Sequence, residues 1–104
     1  MLQDYSELMD NHELIRNPRL ILKNLGDEVI LYDPDQKAVH VLNATAQVVW
    51  ELCDGEHKLE DIEHALRSRY SVPADRDVKA DIIQTLNMFI SKHIVIPKMG
   101  SEKK

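Results

Sequence analysis

The residues whose types invite chemistry are Cys53, five histidines (His12, His40, His57, His64 and His93) and a run of carboxylates around Glu60. A cysteine becomes a nucleophile when a neighbouring base or a helix N-terminus lowers its pKa. Cys53 instead falls on an apolar helical stripe near a helix C-terminus, where the dipole disfavours a thiolate, and it reads as a packed side chain. The histidines form no HxxxH or HExxH pair, and a single cysteine cannot complete a zinc knuckle. His57 and His64 stand seven apart across a helix start, which does not specify a metal site. Three isolated glycines cannot build a phosphate-cradling loop. Glu60, Asp61 and Glu63 read as a solvated helix face. These residues therefore predict a protein that is not an enzyme and holds no metal or cofactor.

The elements that must position any site follow from periodicity. At 104 residues the chain predicts one domain with a modest core, and 43% apolar with 30% charged residues is an ordinary globular mixture. Residues 1–18 are polar and interrupted by Asn11, His12 and Asn17-Pro18, which predicts a mobile or partner-dependent N-terminal arm. Leu20–Leu25 and Glu28–Tyr32 are apolar runs joined by Gly26-Asp27, the chemistry of a two-residue hairpin. Asp33-Pro34-Asp35-Gln36-Lys37 is a second turn, so Ala38–Leu42 is a third strand of an antiparallel meander.

Three helices are predicted next. In the first, Asn43 or Thr45 supplies the cap, Ala46, Val49, Trp50 and Cys53 form the apolar stripe, and Asp54-Gly55 the stop. The second, Lys58 to Tyr70, places acids in its first turns and Arg67 and Arg69 in its last, matching the helix dipole. Its stripe is Leu59, Ile62, Ala65 and Leu66. The third runs from about Asp75 to Lys92 with Val78, Ile82, Leu86, Phe89 and Ile90 on one side. Ile94–Pro97 reads as a short final strand and residues 98–104 as a disordered tail. The fold class is thus α+β and winged helix-turn-helix-like, a three-stranded antiparallel sheet followed by three helices.

A helix-turn-helix raises the alternative of a DNA-binding regulator. Yet the net charge is −5, and in the third helix Asp75, Asp77 and Asp81 balance Arg76, Lys79 and Lys92. Such a surface leaves little to hold phosphates, so no nucleic-acid partner is expected. No apolar run approaches a membrane span and no signal peptide is visible, so the expectation is a cytoplasmic protein without a membrane partner. Peptide binding fits better. Ala38-Val39-His40-Val41-Leu42 is a sheet edge without proline and, with His40 neutral, without charge. Such an edge can accept a partner strand, or be covered by the N-terminal arm or a second copy. An oligomeric scaffold, such as a homodimer pairing through the same strand edge, is the further alternative.

The run Leu42-Asn43-x-Thr45-Ala46-x-x-Val49-Trp50-x-Leu52-Cys53-Asp54-Gly55, continued by Leu59-Glu60-Asp61-Ile62 and Leu66, resembles the PqqD-like family of RiPP recognition elements. Asp81-Ile82-x-x-x-Leu86-x-x-Phe89-Ile90 is similar to that family's closing helix. The resemblance covers about residues 19–95 and implies a peptide-binding domain over 19–97. It implies a leader peptide, part of a ribosomally made precursor, bound as an added strand beside the third helix. Carried onto this chain, the peptide-binding residues would be Val39, His40, Val41, Leu42, Asp81, Gln84, Thr85, Met88 and Lys92. Leu42, Asn43, Thr45, Trp50, Asp54 and Gly55 match the motif but read as structural, as core, caps and stop. The partners implied are a precursor peptide and a tailoring enzyme, frequently a radical S-adenosylmethionine enzyme; PQQ biosynthesis is one such pathway. His93 departs from the pattern, standing where members often have Gly, so a different end to the third helix is expected.

Overall fold

The computed structural model describes residues 9, 10 and 13–98. Its elements run β1 (Leu14–Arg16), β2 (Ile21–Asn24), β3 (Val29–Asp33), β4 (Ala38–Leu42), α1 (Ala44–Glu51), α2 (Leu59–Arg69), α3 (Val78–Ser91) and β5 (Val95–Pro97). The predicted meander is present: β2, β3 and β4 form a three-stranded antiparallel sheet in that order. Gly26, at φ +96°, makes the tight turn between β2 and β3. At the next turn the buried Asp33 carboxylate accepts the Asp35 and Gln36 N–H groups at 2.9 and 3.2 Å, so its burial is compensated by turn bonds.

Period-2 alternation in β3 buries Val29, Leu31 and Asp33 and turns Ile30 and Tyr32 outward. In β4 the inward set is Ala38, His40 and Leu42. α1 packs against β4, and the buried residues of β3, β4 and the three helices join in one core. On the other face Ile21, Tyr32, Val39 and Val41 are exposed. α1 starts where expected: Asn43 Oδ1 accepts Ala46 N–H at 2.9 Å and the Thr45 hydroxyl at 3.0 Å, which makes Asn43 the cap. Val48, absent from the predicted stripe, is buried together with Val49 because α1 packs on more than one neighbour. Trp50 is only half-buried, with the Arg16 guanidinium 5.4 Å from its ring centre. α2 takes part of its N-terminal capping from afar, since Asp10 Oδ1 accepts Leu59 N–H at 3.1 Å. Its Leu59, Ile62 and Leu66 join Val78, Ile82, Leu86 and Phe89 of α3 in one core, as the stripes predicted.

The expected mobile or partner-dependent arm needs correction at Met9 and Asp10 and from Leu14 onward, where the chain is tied to the body. β1 pairs with β5 antiparallel, Leu14 opposite Pro97, as a second two-stranded sheet. Arg16 N–H donates to the Cys53 carbonyl at 2.8 Å, and Met9 and Leu14 are core residues. Residues 1–8, 11–12 and 99–104, which include most of the arm and nearly all the tail, lie outside the described residues.

The end of α3 also departs from expectation, in an informative way. His93 takes φ +62°, its N–H donates to Ile90 O at 3.1 Å, and Ile94 N–H donates to Phe89 O at 2.8 Å. This is the Schellman ending, with histidine where glycine is the unstrained choice. The helix therefore stops as a glycine would stop it, at a backbone cost. His93→Gly is expected to raise stability by about 0.5–1 kcal/mol, because relief of the left-handed strain exceeds the loss of one exposed side-chain contact. Urea unfolding midpoints of the two proteins measure it.

Candidate peptide-binding site

The turn between β2 and β3 determines which main-chain groups reach the sheet edge. Leu25 N–H donates to Glu28 O at 2.8 Å, so residues 25 and 28 form a hydrogen-bonded pair. Such pairs alternate along an antiparallel ladder. In the register Asn24↔Val29, Lys23↔Ile30, the bonded positions of β3 toward β2 are Ile30 and Tyr32. Val29, Leu31 and Asp33 then bond toward β4, opposite Leu42, His40 and Ala38. Val39 and Val41 are left with N–H and C=O directed at the free edge.

Their side chains project from the outer face and are 58% and 56% exposed. His40 is half-buried on the inner face, with Nε2 buried and without a hydrogen-bond partner among the described residues. Leu42 is a core residue, 2% exposed, with main-chain groups committed to β3. It leaves the candidate set for that reason.

Two connections relate α3 to this strand. Just before β4, the Gln36 side-chain nitrogen lies 2.6 Å from His93 Nδ1 at the end of α3. Just after β4, Asn43 lines an open cavity of about 460 Å³ together with Asp81, Thr85 and Met88 of α3. The cavity floor is apolar, with Val49, Leu66, Val78 and Ile82. On its rim Arg76 and Asp81 form an ion pair at 2.8 Å, and Thr85 donates its hydroxyl to the Asp81 carbonyl at 3.0 Å. Asp81, Thr85 and Met88 fall at i, i+4 and i+7, one face of the helix. Gln84 is exposed and does not line the cavity, and Lys92 lies beyond α3. Tyr70, Val72 and Arg76 were not predicted; they come from the α2–α3 connection, which carries no periodic signal. Arg67 orders that connection by donating to the carbonyls of Pro73 and Arg76 at 3.3 and 2.8 Å. A second cavity, about 500 Å³, lies between the β2–β3 turn and α1 and holds none of the predicted residues.

The groups that first suggested catalysis are placed otherwise. Cys53 is fully buried, its thiol donates to Val49 O at 3.2 Å, and burial pushes its pKa up to about 12. It has essentially no thiolate at neutral pH. His57 Nδ1 lies 2.9 Å from Asp54 Oδ1, and that hydrogen bond holds the imidazole above its ordinary pKa. Among the described residues no three His, Cys, Asp or Glu side chains converge as metal ligands would. No helix of the described residues is long and apolar enough to cross a membrane.

The β4 edge thus stands open, Gln36 connects it to the end of α3, and an apolar cavity opens beside Asn43 where the strand ends. Residues 28–95 match the family described as Coenzyme PQQ synthesis protein D (PqqD). The chain belongs to the PqqD family. The match takes in β3, β4 and all three helices and leaves out β1 and β2. No curated protein matches the chain. Among solved structures it is similar to TbiB1 in complex with the TbiA(beta) leader peptide. The TM-score there is 0.68 at 21% identity, over 86% of this chain and 99% of that one. It is also similar to the heterocyclase TruD, at TM-score 0.58 and 17% identity, over 88% of this chain but 12% of TruD. At these identities both are likenesses of fold, and the PqqD fold corresponds to only a small part of TruD.

Proposed function

We propose that this PqqD-family chain is a non-catalytic adaptor that binds the leader segment of a ribosomally made precursor peptide and presents it to a modifying enzyme. The observation that carries the reading is the pair Val39 and Val41, whose main-chain donors and acceptors stand free at an uncharged edge. A leader strand added there forms the ladder, and the cavity lined by Asp81, Thr85 and Met88 takes one of its inward side chains. TbiB1, of like fold, has been seen with a leader peptide, and TruD, which contains a like fold, is a heterocyclase. Both support an adaptor working beside a tailoring enzyme, and a radical S-adenosylmethionine enzyme is the class the family resemblance favours. The site of action is the cytoplasm, where such precursors are synthesised.

The test is a titration of isotope-labelled protein with the leader segment of a small peptide encoded beside this chain, read by amide shifts. Shifts concentrated at residues 38–42 and at Asp81, Thr85 and Met88 are the expected result. Shifts confined to the β2 side of the sheet or to the second cavity would overturn the reading.

A further inference from the structure

We infer that a leader strand bound at β4 is read on both faces of the sheet, Val39 and Val41 selecting β-branched or aromatic residues at two leader positions two apart. The inference rests on the strand-addition reading and adds the chemical class of the peptide. Two cross-strand rows on the outer face carry it. One runs Ile21, Tyr32, Val39 and the other Lys23, Ile30, Val41, each ending at the free edge. Ile21, Tyr32, Val39 and Val41 are all exposed, so nothing among the described residues covers these four side chains. Four exposed apolar side chains on one face, two of them at an unpaired edge, suit a partner strand that extends the same rows.

The ladder's parity then fixes what the occupant shows to that surface. A residue paired with Val39 or Val41 must point its side chain to the same outer face, whichever way the added strand runs. It becomes the next member of its row, in contact with the valine directly opposite. The leader residue between them, paired with His40, points inward to the helical side. Three consecutive leader residues therefore read outward, inward, outward. The outward two meet β-branched valines backed by Tyr32 and Ile30, and β-branched and aromatic side chains pair best in that setting. Neither outward position has a charged neighbour within its row on β4 or β3.

The experiment uses the full chain to select from a displayed library of random ten-residue peptides. Wild-type protein is expected to enrich β-branched or aromatic residues at two positions two apart. Replacing either by Ala in a selected peptide should lower affinity up to about fivefold. Val41→Lys should shift one of those positions to Asp or Glu, and Val39→Glu should shift the other to Lys or Arg. Both sites are exposed, and unchanged melting midpoints confirm that the variants fold. An enriched motif without the alternating pair, or one that neither substitution alters, would overturn two-faced reading while leaving strand addition standing. Failure of the wild-type protein to enrich any peptide would bring down strand addition itself, and this inference with it.

Discussion

Val41→Pro is expected to weaken leader binding by about tenfold or more while leaving the domain folded. The ladder parity set by Leu25 and Glu28 directs the Val41 N–H away from β3, so proline removes no bond within the sheet. It removes a donor that the added strand needs, and its ring occupies the space where the partner's carbonyl would approach. His40→Pro is the control with the opposite signature. His40 bonds toward Leu31 of β3, and proline there breaks the β3–β4 ladder and costs about 3 kcal/mol of stability. Calorimetric titration with the leader segment and thermal melting of both variants separate the two effects. If Val41→Pro binds as wild type in a folded protein, no strand is added at this edge.

Phe89→Ala carries the largest expected effect on stability. Phe89 is 0% exposed, sits in the shared core of the sheet and helices, and supplies the carbonyl that Ile94 N–H closes on at the end of α3. Truncating such a ring removes its apolar burial and leaves a cavity, a loss of about 3–5 kcal/mol. A domain of this size has a total stability of about 5–15 kcal/mol, so the variant is expected to melt some 15–30 °C lower. The adjacent Met88 gives the contrast: 41% exposed and lining the cavity, it can be changed to Ala with little loss of stability. Its loss should appear in peptide affinity instead. Urea unfolding of the two variants, followed by the same titration, distinguishes core from site along one helix.

The contrast between these neighbours was legible in the sequence, because 3.6-residue periodicity places Ile82, Leu86 and Phe89 on one side of α3 and Asp81, Thr85 and Met88 on another. The meander was legible for a like reason: Gly26-Asp27 and Asp33-Pro34 are local chemistry that acts without help from distant residues. Within β4 the alternation was clear but its sense was not. Val39 and Val41 form one apolar set and Leu42 falls in the other, and only packing against the helices decides that Leu42 goes inside. β1 was missed because it is three residues long and is held by partners 80 positions away, at Val95–Pro97. No local pattern in Leu14-Ile15-Arg16 announces that pairing. His93 misled through its identity, since the backbone there needs a left-handed residue and histidine adopts the conformation under strain. The cavity wall contributed by Tyr70, Val72 and Arg76 belongs to a connection whose shape depends on Arg67 reaching across to its carbonyls.

The pairing of β1 with β5 makes this fold portable. Lys98 N–H donates to Glu13 O at 2.6 Å, so the chain enters β1 and leaves β5 side by side. A host protein can open one surface loop between neighbouring residues, thread this body through the gap and close again without stretching either junction. Grafted in that way, the domain would arrive with its free β4 edge uninterrupted, since neither junction lies in β4 or α3. One body could thus stand as a separate domain or as an insert, with the β4 edge left accessible in both settings.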